Sequence, residues 1–66
     1  MIRNDEQLKK AQEAVRNLEI ILEKARKVHN PTEYRSMSEP ILIELQQREN
    51  DIIQYLSLPE SEVASL

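Results

Sequence analysis

The first half of the chain carries apolar residues spaced alternately three and four positions apart. They are Leu8, Ala11, Val15, Leu18, Leu22 and Ala25. This spacing places one apolar stripe along one side of an α-helix, and the stripe needs another helix to cover it. The pattern predicts a helix from about Asp5 to about His29. Asn4 suits the N-cap, and Gln7 stands where a capping box has Glu or Gln.

The second half carries a shorter stripe of the same kind. It consists of Ile41, Leu45, Ile52 and Leu56. Arg48 and Glu49 interrupt it where a regular pattern would place an aliphatic residue. Either the stems of both side chains pack while their charged ends reach solvent, or the two residues form a buried polar layer that fixes the register of an oligomer. We expect the first.

Two prolines decide where the second helix begins. Asn30-Pro31 ends the first helix, because the residue before a proline is kept out of the α region. Pro31 can also begin a new helix that Asn30 caps, and Pro40 would then kink that helix. Alternatively, Ser36 or Ser38 caps a later helix, and Pro40 falls in or next to the first turn, where proline is tolerated.

The later start is the arrangement that we expect. It predicts a helix over about 5–29, a connector over about 30–37 and a main helix over about 38–56. The connector would be short helical or irregular, and we expect a turn of helix in it before the main helix. Ser57 and Glu60 could cap another helical turn, but we expect residues 59–66 to form a flexible tail. The fold class is therefore all-α, with an antiparallel two-helix hairpin over residues 1–58.

A hairpin of two helices buries only one side of each helix, so a chain of 66 residues needs further cover. Ile20 and Ile43 fall on the outer faces, away from the two stripes. Single exposed aliphatic residues are normal, but one on each helix also fits a contact between subunits. We predict a homodimer in which two hairpins form a four-helix bundle.

The net charge of −3 is unevenly distributed along the chain. Residues 4–29 carry six Lys or Arg against five acidic residues, whereas residues 31–66 carry two against seven. The second half is thus an acidic surface, which suits a basic protein partner and disfavours nucleic acid.

Apolar runs are short throughout. The longest, such as Ile41-Leu42-Ile43, fall far below the roughly 18 residues of a membrane span. The first residues are too acidic and polar for a signal peptide. We expect a cytoplasmic protein that makes no membrane contact.

Groups that carry chemistry are scarce. The sequence has no cysteine, no glycine and one histidine, which argues against a disulfide, a thiolate metal site and a glycine-rich phosphate loop. His29 lies at the end of the first helix, where the helix dipole favours a cation, so we assign it a capping role. We expect no catalysis, no metal and no cofactor.

Four basic residues lie toward one flank of the first helix: Lys9, Lys10, Arg16 and Lys24. Glu13, Glu19 and Glu23 are interleaved with them. Such a diluted stripe would neutralise few phosphates, so we expect no direct binding of nucleic acid. A nucleic-acid-associated transcriptional regulator that uses this flank remains the alternative.

The opening Met-Ile-Arg-Asn-Asp-Glu-Gln, followed by Lys10-Ala11-Gln12 and a long amphipathic helix, resembles a group of small bacterial regulators. They are antitoxin-type proteins that carry an N-terminal helical hairpin ahead of a helix-turn-helix domain of the Cro/repressor kind. The segment 44–55 is similar to the second helix of that hairpin. The resemblance covers roughly residues 1–56 and implies the pairing module without the DNA-reading helices, so no base-contacting residue is carried over.

These patterns together predict a small helical protein–protein interaction module, regulatory or antitoxin-like, with no catalysis of its own. The residues that we expect in its core or at its interface are Leu8, Val15, Leu18, Ile20, Leu22, Ile41, Ile43, Leu45, Ile52 and Leu56.

Overall fold

The first helix, α1, runs from Asp5 to Val28 in the computed structural model, which describes residues 1–63. The Asn4 side chain caps it by accepting a hydrogen bond of 2.8 Å from the Gln7 backbone N–H. The Gln7 side chain in turn accepts from the Arg3 backbone N–H, one residue before the position that a capping box uses. The predicted helix and its N-cap are confirmed.

The second helix, α2, runs from Pro31 to Leu56 without interruption. Asn30 is its N-cap and accepts a hydrogen bond of 2.9 Å from the Glu33 backbone N–H. The predicted separation of a connector over 30–37 from a main helix that starts near Ser38 is therefore wrong, because those residues are the N-cap and the first two turns of α2. The helical turn expected before Ser38 is part of the same helix. Proline fits the first helical position because that residue has no intrahelical N–H bond to lose, and its fixed φ already suits a helix.

Pro40 lies in the interior of α2. It has no N–H to donate to the Ser36 carbonyl, and its ring crowds that carbonyl. Both residues are exposed, so water can hydrate the carbonyl that the helix leaves unpaired. The helix thus continues through Pro40 because the missing hydrogen bond lies on its solvent side.

The predicted tail contains a third helix. After Ser57 caps α2, a four-residue helix, α3, runs from Glu60 to Val63. The Pro59 carbonyl accepts hydrogen bonds from the backbone N–H groups of Glu62 and Val63. The tail that we expected to lack structure thus forms one helical turn, and residues 64–66 lie outside the described residues.

The long helices α1 and α2 pack against each other as an all-α hairpin, and residues 1–63 contain no strand. Only His29 and Asn30 separate the two helices, which makes them antiparallel. The molecule measures 48 × 15 × 12 Å, and its radius of gyration of 14.9 Å exceeds the roughly 11 Å of a globular chain of this length. The hairpin is therefore a single elongated layer.

Candidate interaction surface

The stripe of α1 faces α2 as predicted. Leu22 is buried, and Leu8, Val15 and Leu18 are half-buried. Ala25 is also buried, close to the turn that joins the helices. Small and branched side chains at these positions let the two helices approach, which makes this stripe the intramolecular seam.

The stripe of α2 agrees with the prediction at three of four positions. Ile41, Leu45 and Ile52 are half-buried against α1. Leu56 was predicted in the core, and the structure contradicts this, since 61% of Leu56 is exposed. The reason is local: α1 begins only at Asp5, and the adjacent Tyr55 occupies the space at that end of the seam.

Two residues that the sequence pattern did not single out close this end of the hairpin. Ile2 and Tyr55 are both buried, although Ile2 precedes the first helix. The Tyr55 hydroxyl donates a hydrogen bond of 2.7 Å to the Asp5 carboxylate. An apolar residue shortly before an N-cap often packs back onto its helix, and this is the signal that could have identified Ile2.

The Tyr55–Asp5 hydrogen bond also changes the acidity of the phenol. It raises the pKa of Tyr55 above the ordinary tyrosine value, because ionisation would remove the donor and place a second negative charge beside Asp5. Burial and the nearby Glu60 carboxylate raise this pKa further. The contact keeps Tyr55 protonated and holds the start of α1 to the end of α2.

The polar interruption of the second stripe lies at the surface of the single chain. Arg48 is half-buried, and its guanidinium forms an ion pair of 2.9 Å with Glu44 one turn earlier. Glu49 is exposed. The charged ends thus reach solvent as expected, and the partial burial of Arg48 agrees with packing of its stem, while the packing of the Glu49 stem stays a prediction. Pairs of this kind contribute about 0.3–0.5 kcal/mol.

Large aliphatic residues remain exposed on both long helices. They are Ile20, Ile21, Val28, Leu42, Ile43, Ile53 and Leu56. Ile20 and Ile43 thus have the outer placement that the sequence indicates, while their part in a dimer stays a prediction. Exposed apolar residues are of interest because, where they form a contiguous patch, such a patch often marks a contact with another molecule.

The basic flank of α1 is solvent-exposed. Lys9, Lys10, Arg16 and Lys24 all lie on the surface, and so do the interleaved glutamates. Lys10 lines a surface cleft together with Asp51. The acidic residues along and beside this flank dilute its positive charge.

No metal-binding group of three or more His, Cys, Asp or Glu side chains occurs within residues 1–63. Across the same residues, none of the helices combines the length and the apolar character needed to cross a membrane. His29 follows the last residue of α1 as its C-cap, and its backbone N–H donates to the Ala25 carbonyl.

Comparison with known proteins finds no match, since no family model, no curated sequence and no solved structure is significantly similar to this chain. A function for this protein is therefore inferred from the exposed surface of its helices.

Proposed function

We propose that this protein is a helical interaction module that works as a homodimer and has no catalysis of its own. The observation that supports this is the exposure of seven large aliphatic side chains on a single-layer hairpin. A folded chain gains free energy by removing such surface from water, about 25 cal/mol per Å². Closed two-fold dimers are the commonest way for identical chains to do so.

The mass of the purified protein in solution tests this proposal. We expect size-exclusion chromatography with light scattering to give twice the chain mass of 7.8 kDa across a concentration series. Far-ultraviolet circular dichroism on the same samples checks helicity. A helical species with the mass of one chain at every concentration would overturn the homodimer.

We further propose that the acidic second half contacts a basic partner protein, as an antitoxin-like or other cytoplasmic regulator would. Two features support this. Residues 31–66 carry seven acidic against two basic residues. The N-terminal segment and residues 44–55 resemble the pairing hairpin of antitoxin-type regulators. Electrostatic attraction of this kind mainly raises the association rate and weakens with salt.

A lysine-rich peptide is a suitable probe, with a glutamate-rich peptide of equal length as its control. We expect the lysine-rich peptide alone to bind at low salt and to be released as salt rises. The exposed residues Glu39 and Glu49 belong to α2, and their joint replacement by lysine should weaken binding. Equal binding of both peptides would contradict an acidic docking surface.

Nucleic acid remains the alternative ligand through the basic flank of α1. A titration of duplex DNA and RNA at low salt tests it, with charge reversal at Lys9, Lys10 and Arg16 as the control. Binding that falls steeply with salt and with charge reversal would favour the alternative. Its absence would leave the protein-binding proposal as the better supported one.

A further inference from the structure

The two broad sides of the hairpin are covered to different extents. On one side, Met1 and Ile2 line a cleft together with Lys10 of α1 and Asp51 of α2. Ile2 is buried there. Ile2 therefore packs against this side near the open end of the hairpin, whereas Met1 stays exposed. Ile21 and Val28 lie on the same side of α1 as Lys10, farther from the open end, and are exposed there.

Within residues 1–63, the opposite side of α2 is less covered. Glu60 and Val63 of α3 line a cleft with Leu56 at the open end, and this cleft includes neither Leu42 nor Ile53. At 100° per residue, Leu42, Ile53 and Leu56 fall within about 60° of one another on the helix. Ile53 lies two residues from Asp51, which places it about 200° away from the covered side. The exposed fractions of Leu42, Ile53 and Leu56 are 47%, 63% and 61%.

Two half-buried residues of the α1 seam lie at its edge on this side, where their exposed parts border it. Leu8 lies two residues before Lys10 and therefore points away from the side that Lys10 shares with Met1 and Ile2. Val15 follows Leu8 by seven residues, or two turns, on the same side. We call Leu8, Val15, Leu42, Ile53 and Leu56 together the aliphatic face.

The accessible surface area of the chain is larger than that of a compact folded monomer of the same mass. Its accessible surface is 5403 Å², whereas a folded monomer of this mass exposes about 4,400 Å². The excess of about 1,000 Å² matches the roughly 800 Å² that each partner buries in a standard interface. One further layer of helices on one side of the hairpin would remove it.

We propose that a second copy of this chain covers the aliphatic face, so that two hairpins stack on this side with Leu42 and Ile53 buried between them. This inference rests on the homodimer proposed above and assigns its interface. The side that carries Met1 and Ile2 stays outside the dimer.

This interface differs from the one that the sequence pattern predicts, in which Ile20 and Ile43 form the contact between subunits. Ile20 lies two residues from both Leu18 and Leu22, and Ile43 lies two residues from both Ile41 and Leu45. Side chains two residues apart point to opposite sides of a helix. Ile20 and Ile43 therefore lie on the two outer edges of the hairpin, and a partner stacked on one broad side would contact neither.

The first experiment compares two double variants of the full chain by light scattering. The variant with Leu42→Glu and Ile53→Glu should raise the dimer dissociation constant at least about 100-fold, since each subunit then buries two charges. The variant with Ile20→Glu and Ile43→Glu places the same charges on the outer edges and should keep the mass of the wild type. Circular dichroism checks that both variants stay helical.

A second experiment needs no disruptive change. The chain has no cysteine, so Leu42→Cys and Ile43→Cys each introduce a single thiol at neighbouring positions. In the dimer, we expect a thiol reagent to label Leu42→Cys at least about tenfold more slowly than Ile43→Cys, because only the first position is buried between subunits. At concentrations where the dimer dissociates, the two rates should converge.

The outcomes separate the two proposals. A monomeric wild type overturns the homodimer itself. A dimeric wild type whose Leu42→Glu, Ile53→Glu variant also stays dimeric, or whose two thiols react equally fast, overturns the aliphatic face while the homodimer stands. Loss of the dimer in the Ile20→Glu, Ile43→Glu variant would move the interface to the outer edges.

Discussion

The Tyr55 side chain links the end of α2 to the start of α1. Its hydroxyl reaches Asp5 across 50 residues of sequence, and its ring is buried at the open end of the seam. We expect Tyr55→Phe to lower Tm by a few degrees while keeping the fold, because the ring still packs and only the hydrogen bond is lost. Thermal unfolding followed by circular dichroism measures this change.

The same contact predicts how stability depends on pH. Because the pKa of Tyr55 is raised in the folded state, its contribution is fully present below the ordinary tyrosine pKa of about 10 and is lost as pH rises through the raised value. The Tm difference between wild type and Tyr55→Phe should therefore shrink above about pH 10. Lysine titration affects both proteins and cancels in the difference. A difference that stays constant to high pH would contradict the hydrogen bond.

At the scale of the helices, α1 could be predicted from sequence because its signals agree. The Asn4 cap, the acidic first turn, the apolar stripe and the stop before Pro31 all mark the same segment. The start of α2 could not be predicted in this way, since Asn30, Ser36 and Ser38 are all plausible caps. Packing of the segment 31–37 against the end of α1 decides between them, with Tyr34 and Met37 half-buried and Ser38 buried.

The early start of α2 predicts an effect at its cap. Asn30→Ala should destabilise the protein by about 1 kcal/mol, since it removes the acceptor for the Glu33 backbone N–H. Asn30→Asp, which keeps an acceptor, should cost much less. Urea unfolding measures both changes. If α2 began near Ser38, Asn30→Ala would leave the free energy of unfolding unchanged.

The interior proline makes a second prediction for α2. Pro40→Ala should restore the hydrogen bond to the Ser36 carbonyl and remove the ring contact. A proline in a helix interior costs about 3 kcal/mol, and its stiffening of the unfolded chain returns about 0.4–1 kcal/mol, so we expect a net gain of about 2 kcal/mol. Thermal unfolding should show Tm higher by roughly 10 °C.

Pro31→Ala is the matched control for this change. Pro31 occupies the first helical position and blocks no hydrogen bond, so its replacement should leave stability equal or slightly lower. Equal gains from both substitutions would show that the benefit comes from alanine itself rather than from the repaired turn.

At the scale of the whole molecule, the seam between the two helices could be predicted from the sequence, whereas the aliphatic face could not. Heptad spacing identifies the seam, and it identified Leu22 and its neighbours correctly. The aliphatic face depends on which side the first residues cover, and on Tyr55 rather than Leu56 closing the open end. Neither fact follows from periodicity, because periodicity gives the angle of a residue on its own helix and says nothing about which side a neighbouring segment covers.

An elongated hairpin that completes its core with a second copy should unfold at a temperature that depends on protein concentration. Mass action adds about 1.4 kcal/mol to the association free energy for each tenfold increase, which for a dimer of this size raises Tm by about 5 °C. Calorimetry over a hundredfold range of concentration measures the slope. The variant with Leu42→Glu and Ile53→Glu should unfold at a lower temperature with no slope, while the variant with Ile20→Glu and Ile43→Glu should keep the slope of the wild type. A wild-type Tm that is independent of concentration would mean that the single hairpin is stable on its own and that its aliphatic face does not contribute to folding.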